Sequence, residues 1–194
     1  MRAGLVFTEF TIAPLDRPRF AAWHSNEHAR ERLDIAGVTQ VVRYVDSDDP
    51  LHFCCLYRAT GMGIYATPPY AALPDRASPL TRDILSGLKG SRFLGETFSG
   101  AGEGHGGLMK RLRRSVWSDA EALEAIAAVD ALLRQGMISR IEVAKPGPGG
   151  PNASDGAWIT ILEGATPDGL AEAAATLGGA QDRAVFRLEH LLNG

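Results

Sequence analysis

The order of strand and helix patterns occurs twice along the 194 residues of the chain, and this repetition limits the possible folds more than any other feature. In the first half, runs rich in β-branched and aromatic residues, such as GLVFTEFTI and VTQVVRYV, combine with helical patterns in the order βαββαβ. The glycine-rich stretch GAGEGHGG follows, and we interpret it as a flexible linker. The order βαββαβ then returns. We therefore expect two units, residues 1–100 and residues 107–194.

The βαββαβ order is that of the ferredoxin-like fold, in which an antiparallel sheet carries its helices on one face. The other face of such a sheet needs a cover. Strand patterns such as FCCLY and AWITIL are apolar at consecutive positions, which is typical of a sheet that is buried on both faces. We therefore expect an α+β fold in which two tandem ferredoxin-like (βαββαβ) repeats of one chain pack sheet to sheet.

The composition argues against several classes of partner. With 20 basic and 23 acidic residues the net charge is −3, which gives no general attraction to nucleic acid. No apolar run approaches the ~20 residues that span a bilayer, and the first residues read as a strand rather than a signal peptide. Cys54 and Cys55 would point to opposite faces of a strand, so we expect buried, reduced thiols. These features predict a cytoplasmic protein whose partner is a small-molecule ligand, with self-association into a homo-oligomer left open.

The segment FAAWHSNEHARERL places two histidines on an otherwise apolar helix face. Residues four apart lie above one another on a helix, so Phe20, His24 and His28 form one line, with Trp23 and Glu27 beside it. Phe20 and Trp23 must face the sheet to be buried, and this carries the histidines toward it. Burial lowers the pKa of a histidine and favours the neutral form, which acts as a base.

The second half lacks these polar residues. When the glycines that follow the two first helices are aligned, His28 falls opposite Ala127, and alignment of YRAT on EGAT places Tyr57 opposite Glu163. The helical pattern EALEAIAAVDALLRQ has no unusual polar residue on its apolar stripe. Since the histidines are not required to build the fold twice, we expect a site in the first half and a structural role for the second.

Several features have two interpretations. His24 and His28 are spaced as metal ligands can be, but HSNEH is not the HExxH pattern and no third ligand is apparent, so we expect neither a metal nor another cofactor. Both histidines could instead be hydrogen-bonded packing residues. Arg43 and Tyr44 alternate along a strand, so only one of them can face the helix. The basic run KRLRR is either an anchor for a carboxylate or phosphate or, as we favour, a solvated strand edge.

Residues 4–99 resemble the EthD-like members of the dimeric α/β-barrel superfamily. The shared pattern is an aromatic-x-x-Trp helix start, a Glu-His pair, a Gly before the second strand, an Arg-Tyr that ends it, a Leu-Tyr in the third strand and a Tyr at the second helix. Here these positions are Phe20, Trp23, Glu27, His28, Gly37, Arg43, Tyr44, Leu56, Tyr57 and Tyr70; Ala36 stands where the family usually has Pro. The resemblance implies an intramolecular dimeric α/β barrel. Its members include cofactor-free monooxygenases, isomerases, aromatic cyclases, haem proteins and binding proteins, so function stays open.

We therefore expect an enzyme that carries out cofactor-independent proton transfer on a small aromatic or polyketide-type molecule, as an isomerase, cyclase or monooxygenase-like protein. In this hypothesis His28 accepts the proton, Glu27 orients it or a substrate group, and Arg43 or Tyr57 stabilises an enolate or phenolate. The residues expected to contact the ligand are Phe20, Trp23, His24, Tyr44 and Tyr70. The alternatives are a non-catalytic small-ligand-binding module and a haem-binding protein.

Overall fold

The computed structural model describes residues 2–114, 117–147, 156–178 and 184–194. Within these ranges eight strands form one closed, antiparallel barrel. The strands are β1 (Gly4–Thr11), β2 (Val38–Asp46), β3 (His52–Ala59), β4 (Lys89–Gly102), β5 (Leu108–Arg114), β6 (Arg140–Pro146), β7 (Trp158–Gly164) and β8 (Phe186–Asn193).

The strand order around the barrel is β1-β3-β2-β8-β5-β7-β6-β4. Strands β1 to β4 are therefore ordered β4-β1-β3-β2, and β5 to β8 follow the same pattern as β8-β5-β7-β6. The two sheets join along two seams, where β2 pairs with β8 and β4 pairs with β6. The predicted α+β barrel is confirmed, and hydrogen bonds at these seams leave neither sheet with an open outer edge.

The helices lie outside the barrel. Residues 17–33 form one continuous helix built of α1 (Arg17–Trp23), a π-helical turn (His24–His28) and α2 (Ala29–Leu33). Prolines divide the second helical region of the first half into short pieces, and one of these pieces begins at Pro68. The remaining helices are α3 (Pro68–Ala71), α4 (Leu73–Arg76), α5 (Pro79–Gly87), α6 (Asp119–Ala128), α7 (Asp130–Arg134) and α8 (Pro167–Thr176). None of the described helices is long and apolar enough to cross a membrane.

Alternating strand residues divide the core into an interior and two outer layers. The interior is filled by apolar side chains from both halves, including Leu56, Ile161 and Phe186. The outer face of the first-half sheet packs against the helix of residues 17–33. Cys54 faces the interior and Cys55 the outer layer, and both thiols are free and buried, as predicted.

Charged residues from both halves meet inside the barrel. The Arg58 Nη2 atom lies 2.7 Å from Glu142 Oε2 and the two side chains are buried. Nearby, the Tyr44 hydroxyl donates to Glu163 Oε1 at 2.7 Å. Glu163, which bonds Tyr44, faces the barrel interior, whereas Tyr57 belongs to the outer layer. The alignment that placed Tyr57 opposite Glu163 is therefore wrong, because a shift of one residue moves a strand side chain to the opposite face.

Two other expectations need correction. The predicted linker begins later than expected, because Gly100 and Gly102 still belong to β4 and pair with β6. Its His105 is held in place, with Nδ1 3.1 Å from Glu163 Oε1. The run KRLRR is not a solvated edge throughout: β5 pairs with β7 along its length, and Arg111 forms an ion pair with Glu9 at 2.8 Å.

Candidate functional site

A cleft lies on the outer face of the first-half sheet, between the helix of residues 17–33 and α5. It has two adjoining lobes with volumes of about 540 Å³ and 340 Å³. We call them the larger lobe and the smaller lobe. The residues that line both are Thr8, His28, Tyr57, Leu85 and Arg92. The cleft lies in the first half of the chain, beside the helix that carries the histidines, and the sequence predicted a site in this half.

Aromatic side chains form much of the wall of the larger lobe. Phe10, Phe20 and Trp23 line it together with His24. The Phe20 and Trp23 ring centroids are 5.9 Å apart and tilted. Flat aromatic walls of this kind offer stacking surface to a planar ligand.

The helix widens at the histidines. Instead of the usual bond four residues back, the backbone N–H of Ala29 donates to the carbonyl of His24, which defines the π-helical turn. Such turns are rare and often lie at functional sites. Within this turn the centroids of the two imidazole rings lie 5.5 Å apart, and residues His24 and His28 are 1% and 7% exposed. The widened turn therefore points both rings at the sheet.

The environment keeps both imidazoles neutral. Burial is the main cause that holds the pKa of His24 well below its ordinary value; repulsion between the two imidazoles, if both were protonated, and the charge of Arg43 lower it further. Burial also lowers the pKa of His28, with a second contribution from Arg32. Neutral imidazole is the form that accepts a proton, as the sequence pattern predicted.

Tyr57 stands between the histidines and the sheet. Its hydroxyl lies 3.3 Å from His24 Nε2, and its ring centroid lies 6.0 Å from that of His28. Burial raises the pKa of Tyr57 well above its ordinary value, so the hydroxyl is protonated at neutral pH and can act as a donor.

Two polar atoms of the site are buried without a partner. These are the Nδ1 atoms of His24 and His28, which find no hydrogen bond among the described residues. An unsatisfied buried polar atom costs about 1–3 kcal/mol. The buried Nδ1 atom of His190, outside both lobes, also lacks a partner within the described ranges, so the case for a functional role rests on the position of His24 and His28 at the cleft.

Glu27 does not contact His28 through a hydrogen bond. Its Oε1 atom accepts from the hydroxyls of Ser78 at 2.6 Å and Thr81 at 2.5 Å, and these two bonds hold the pKa of Glu27 below its ordinary value. Thr81 also accepts from Trp23 Nε1 at 2.8 Å. These bonds fasten the π-helical turn to the start of α5, where Ser78 is the N-cap.

Arg43 and Tyr44 lie outside the cleft. Arg43 faces the helix, where Nε donates to Glu189 Oε2 at 2.8 Å and Nη1 donates to the carbonyl of Ala21 at 3.2 Å. Tyr44 points into the barrel interior. The structure thus brings together His24, His28 and Tyr57 around one cavity. The same cleft contains the other expected contacts, Phe20, Trp23 and Tyr70.

Sequence reasoning missed the arginines of the cleft. Arg92 lines both lobes, and Arg32 lines the smaller one beside Tyr70. One signal was available for Arg32, since it lies four residues after His28 on the same helix. Arg92 is brought to the cleft by the pairing of β4 with β1, which places it opposite Thr8. Among the described residues no group of three or more His, Cys, Asp or Glu side chains is arranged to hold a metal ion.

Comparison with solved structures identifies the architecture. A proposed monooxygenase from Lactobacillus acidophilus NCFM aligns with 100% of this chain and 97% of its own, at 13% identity and a TM-score of 0.58. An anthrone oxidase-like protein aligns over 100% and 94%, at 10% identity and a TM-score of 0.62. This chain has the dimeric α/β-barrel fold.

A haem-binding protein from Thermus thermophilus shares this barrel more distantly, with 11% identity, a TM-score of 0.52 and coverage of 98% of this chain and 89% of its own. No protein-family model matches the sequence, and no curated protein matches it either. At these identities the dimeric α/β barrels share a fold, and function must be argued from the site.

Proposed function

We propose that this dimeric α/β-barrel protein, of the EthD-like kind, is a cofactor-independent enzyme that transfers protons on a small aromatic or polyketide-type molecule. The observation that carries the proposal is the meeting of a neutral histidine, His28, and a protonated tyrosine, Tyr57, on the wall of a cleft of about 540 Å³. A positioned base and a donor in a partly dry pocket are sufficient for enolisation chemistry.

His28 is the proton acceptor in this proposal. Its Nε2 edge is the one that a ligand in the cleft can reach. For Nε2 to accept a proton, the neutral ring must carry its own hydrogen on the buried Nδ1 atom, at the cost of one unsatisfied donor; unlike His24, His28 has no partner at Nε2 among the described residues that would draw the hydrogen there. The Trp23 ring, whose centroid lies 4.4 Å from that of the imidazole, supports His28 from one side. A base held in this way takes a proton from an acidic C–H or O–H group of a ligand in the larger lobe.

Tyr57 and His24 act as the donor to the developing negative charge. Burying an unpaired Nδ1–H would leave a strong donor unsatisfied, so we assign the His24 proton to Nε2, which then donates to the Tyr57 oxygen. The other neighbour of the Tyr57 hydroxyl is the Cys55 thiol, a weak acceptor, and a ligand oxygen in the cleft would take the hydroxyl hydrogen in its place. A donor aimed at the ligand oxygen stabilises an enolate or phenolate as it forms.

Glu27 and Arg43 take positioning roles in this proposal instead of the direct roles inferred from sequence. Glu27 fastens the π-helical turn to α5, and Arg43 fastens the preceding helical turn to β8 through Glu189. Both therefore act on the reaction through the placement of the histidines. The name of the anthrone oxidase-like protein supports anthrone as the first substrate to test.

The experiment follows proton abstraction directly. Anthrone, a tricyclic ketone with acidic C10 hydrogens, is incubated with the protein in D₂O, and exchange at C10 is measured by NMR. His28 takes the proton, the C–H electron pair forms the enolate double bond, and the charge moves to oxygen; return of a deuteron completes the exchange. We expect His28→Gln to slow protein-dependent exchange by about 10²–10⁴-fold.

His190→Gln is the matched control, because His190 is also a partly buried histidine but lines neither lobe. It is expected to exchange at the wild-type rate. Equal rates for wild type and His28→Gln would overturn the proposal. Anthrone binding without any protein-dependent exchange would instead favour the alternative, a non-catalytic binding module.

Haem binding is the second candidate, because a neutral histidine is the axial ligand of many haem proteins. Histidines that hold a metal almost always donate their other ring N–H to a partner. The Nδ1 atoms of His24 and His28 have no such partner among the described residues, so the site fits haem poorly and no step is assigned to it. Titration with hemin is the test: a shifted Soret band that is lost in His28→Gln would favour haem binding.

Location and assembly also belong to the proposal. Two free, adjacent cysteines fit a reducing compartment, which supports a cytoplasmic protein. The single chain closes its own barrel, so a homo-oligomer would have to form through the outer helices rather than through the strand edges.

A further inference from the structure

The cleft is positively charged although the protein is not. The chain carries 23 acidic and 20 basic residues. Yet three arginines line the two lobes, namely Arg32, Arg92 and Arg113, and none of the described lining residues is Asp or Glu. A concave site with one sign of charge and apolar walls concentrates ligands of the opposite sign.

Arg92 is the arginine at the junction of the two lobes. It projects from the outer face of β4, next to Thr8 of β1, and it lines both lobes. Its guanidinium group lies 3.5 Å from the Tyr70 hydroxyl, which is at the outer limit of a hydrogen bond. No carboxylate among the described residues forms an ion pair with it.

Other arginines near this helix already have a carboxylate partner. Arg43 pairs with Glu189 at 2.8 Å, and Arg17 pairs with the same carboxylate at 2.8 Å. Arg32 has a looser pair with Glu31 at 3.4 Å. Arg92 is therefore the half-buried guanidinium of the cleft that has donors available for an incoming anion. A guanidinium fork matches the two oxygens of a carboxylate.

The geometry points to a ligand that is an aromatic carboxylic acid, with its ring system in the larger lobe and its carboxylate on Arg92. This inference deepens the proposed function and depends on it only for the choice of cleft. The aromatic walls from Phe10, Phe20 and Trp23 hold the ring, while Arg32 adds positive charge at the far side of the carboxylate. The arginine would thus select the substrate and fix its orientation relative to His28.

The test compares two ligands of the same shape, 2-naphthoate and 2-naphthamide, by isothermal titration calorimetry at low salt. We expect the wild-type protein to bind the acid about 10-fold to 100-fold more tightly than the amide, because only the acid forms a charge-assisted pair. Arg92→Gln is expected to lower the affinity for the acid to about that for the amide, and to change amide binding much less, because the amide loses only a neutral hydrogen bond. A melting temperature equal to that of the wild type shows that the variant is folded.

Two further variants complete the design. Arg76→Gln removes one positive charge from the exposed end of α4, outside both lobes, and is expected to keep the wild-type preference. Arg92→Lys keeps the positive charge but loses the two-pronged guanidinium group, and is expected to retain part of the preference for the acid over the amide. It takes the place of Arg92→Gln if that variant does not fold. The inference is overturned if the preference for the acid survives in Arg92→Gln. It is also overturned if the wild-type protein binds the acid no better than the amide, or binds neither.

The outcomes separate this inference from the proposed function. If proton exchange depends on His28 but the acid is not preferred, the carboxylate inference fails and the proposed function stands. If the acid is preferred through Arg92 but exchange does not depend on His28, the inference about the ligand stands and the proposed chemistry fails.

Discussion

Replacing Glu142 by glutamine tests how firmly the two halves of the barrel are held together. Glu142 of β6 is 1% exposed, and Arg58 of β3 donates to its Oε2 atom from Nε at 3.0 Å and from Nη2 at 2.7 Å. The glutamine keeps the shape of the side chain but removes its charge. Arg58 then loses its nearest counterion and keeps only the more distant Glu163, at 3.8 Å, and breaking a buried pair costs about 3–5 kcal/mol.

For a protein of this size each kcal/mol shifts the melting temperature by about 2–4 °C, so Glu142→Gln is expected to lower Tm by about 6–20 °C. The assay is thermal unfolding followed by circular dichroism at pH 7. Asp130→Asn is the control, because it removes a carboxylate from an exposed i,i+4 pair with Arg134, a pair worth about 0.3–0.5 kcal/mol. A loss for Glu142→Gln no larger than that of the control would refute the role of the buried pair.

The stability that Glu142 contributes should also depend on pH. Burial alone would raise the pKa of Glu142, but the charges of Arg58 and Arg140, with hydrogen bonds from Arg58 and Thr97, hold this pKa below its ordinary value. Ionised Glu142 therefore contributes stability above the pKa of the unfolded chain, and this contribution is lost as the pH falls through the lower folded-state pKa. The Tm difference between wild type and Glu142→Gln should be full at pH 7 and should narrow below about pH 4. A difference that widens in acid would contradict the sign of this pKa shift.

Two further predictions concern single positions. Gly37→Ala should lower the free energy of unfolding by more than about 1 kcal/mol, because Gly37 has a φ of +96° and an added Cβ would lie 2.5 Å from Ile64 Cδ1. The control in the same thermal unfolding assay is Gly63→Ala, whose Cβ would meet nothing within 4 Å. Equal losses of stability in the two variants would contradict the backbone argument. Tyr44→Phe removes the hydroxyl that donates to Glu163 and should lower the free energy of unfolding, measured by urea titration, by about 1–3 kcal/mol. Because Tyr44 lies outside the cleft, the affinity for 2-naphthoate should not change. An unchanged unfolding midpoint would rule out a stabilising bond.

Much of the fold could be predicted because periodicity and turn residues are local signals. The order βαββαβ and the apolar strands were sufficient to predict the barrel. The seams were not predictable, because pairing of β2 with β8 joins residues such as Arg43 and His190 that are far apart in sequence. A register shift in this seam leaves Glu189 without a partner in β2, and it is this carboxylate that binds Arg43.

The candidate site was only partly predictable for the same reason. Helical spacing brought His24 and His28 to one face, and strand alternation brought Tyr57 to that face. The π-helical turn has no sequence signature that we could use, and the partners of Glu27 lie on α5, about fifty residues further along the chain. Arg92 reaches the cleft through strand register. Contacts of this kind depend on tertiary structure rather than on local pattern.

The most direct test of the account is an NMR titration of the His28 imidazole, with its ¹⁵N signals assigned by comparison with His28→Gln. If the cleft holds a neutral base, His28 will stay uncharged at pH 6.5, its ordinary pKa, and will be protonated only at distinctly lower pH. Its signals will also move when 2-naphthoate is added. Protonation at or above pH 6.5, with no response to the ligand, would show that the ring faces water and would contradict the proposed site.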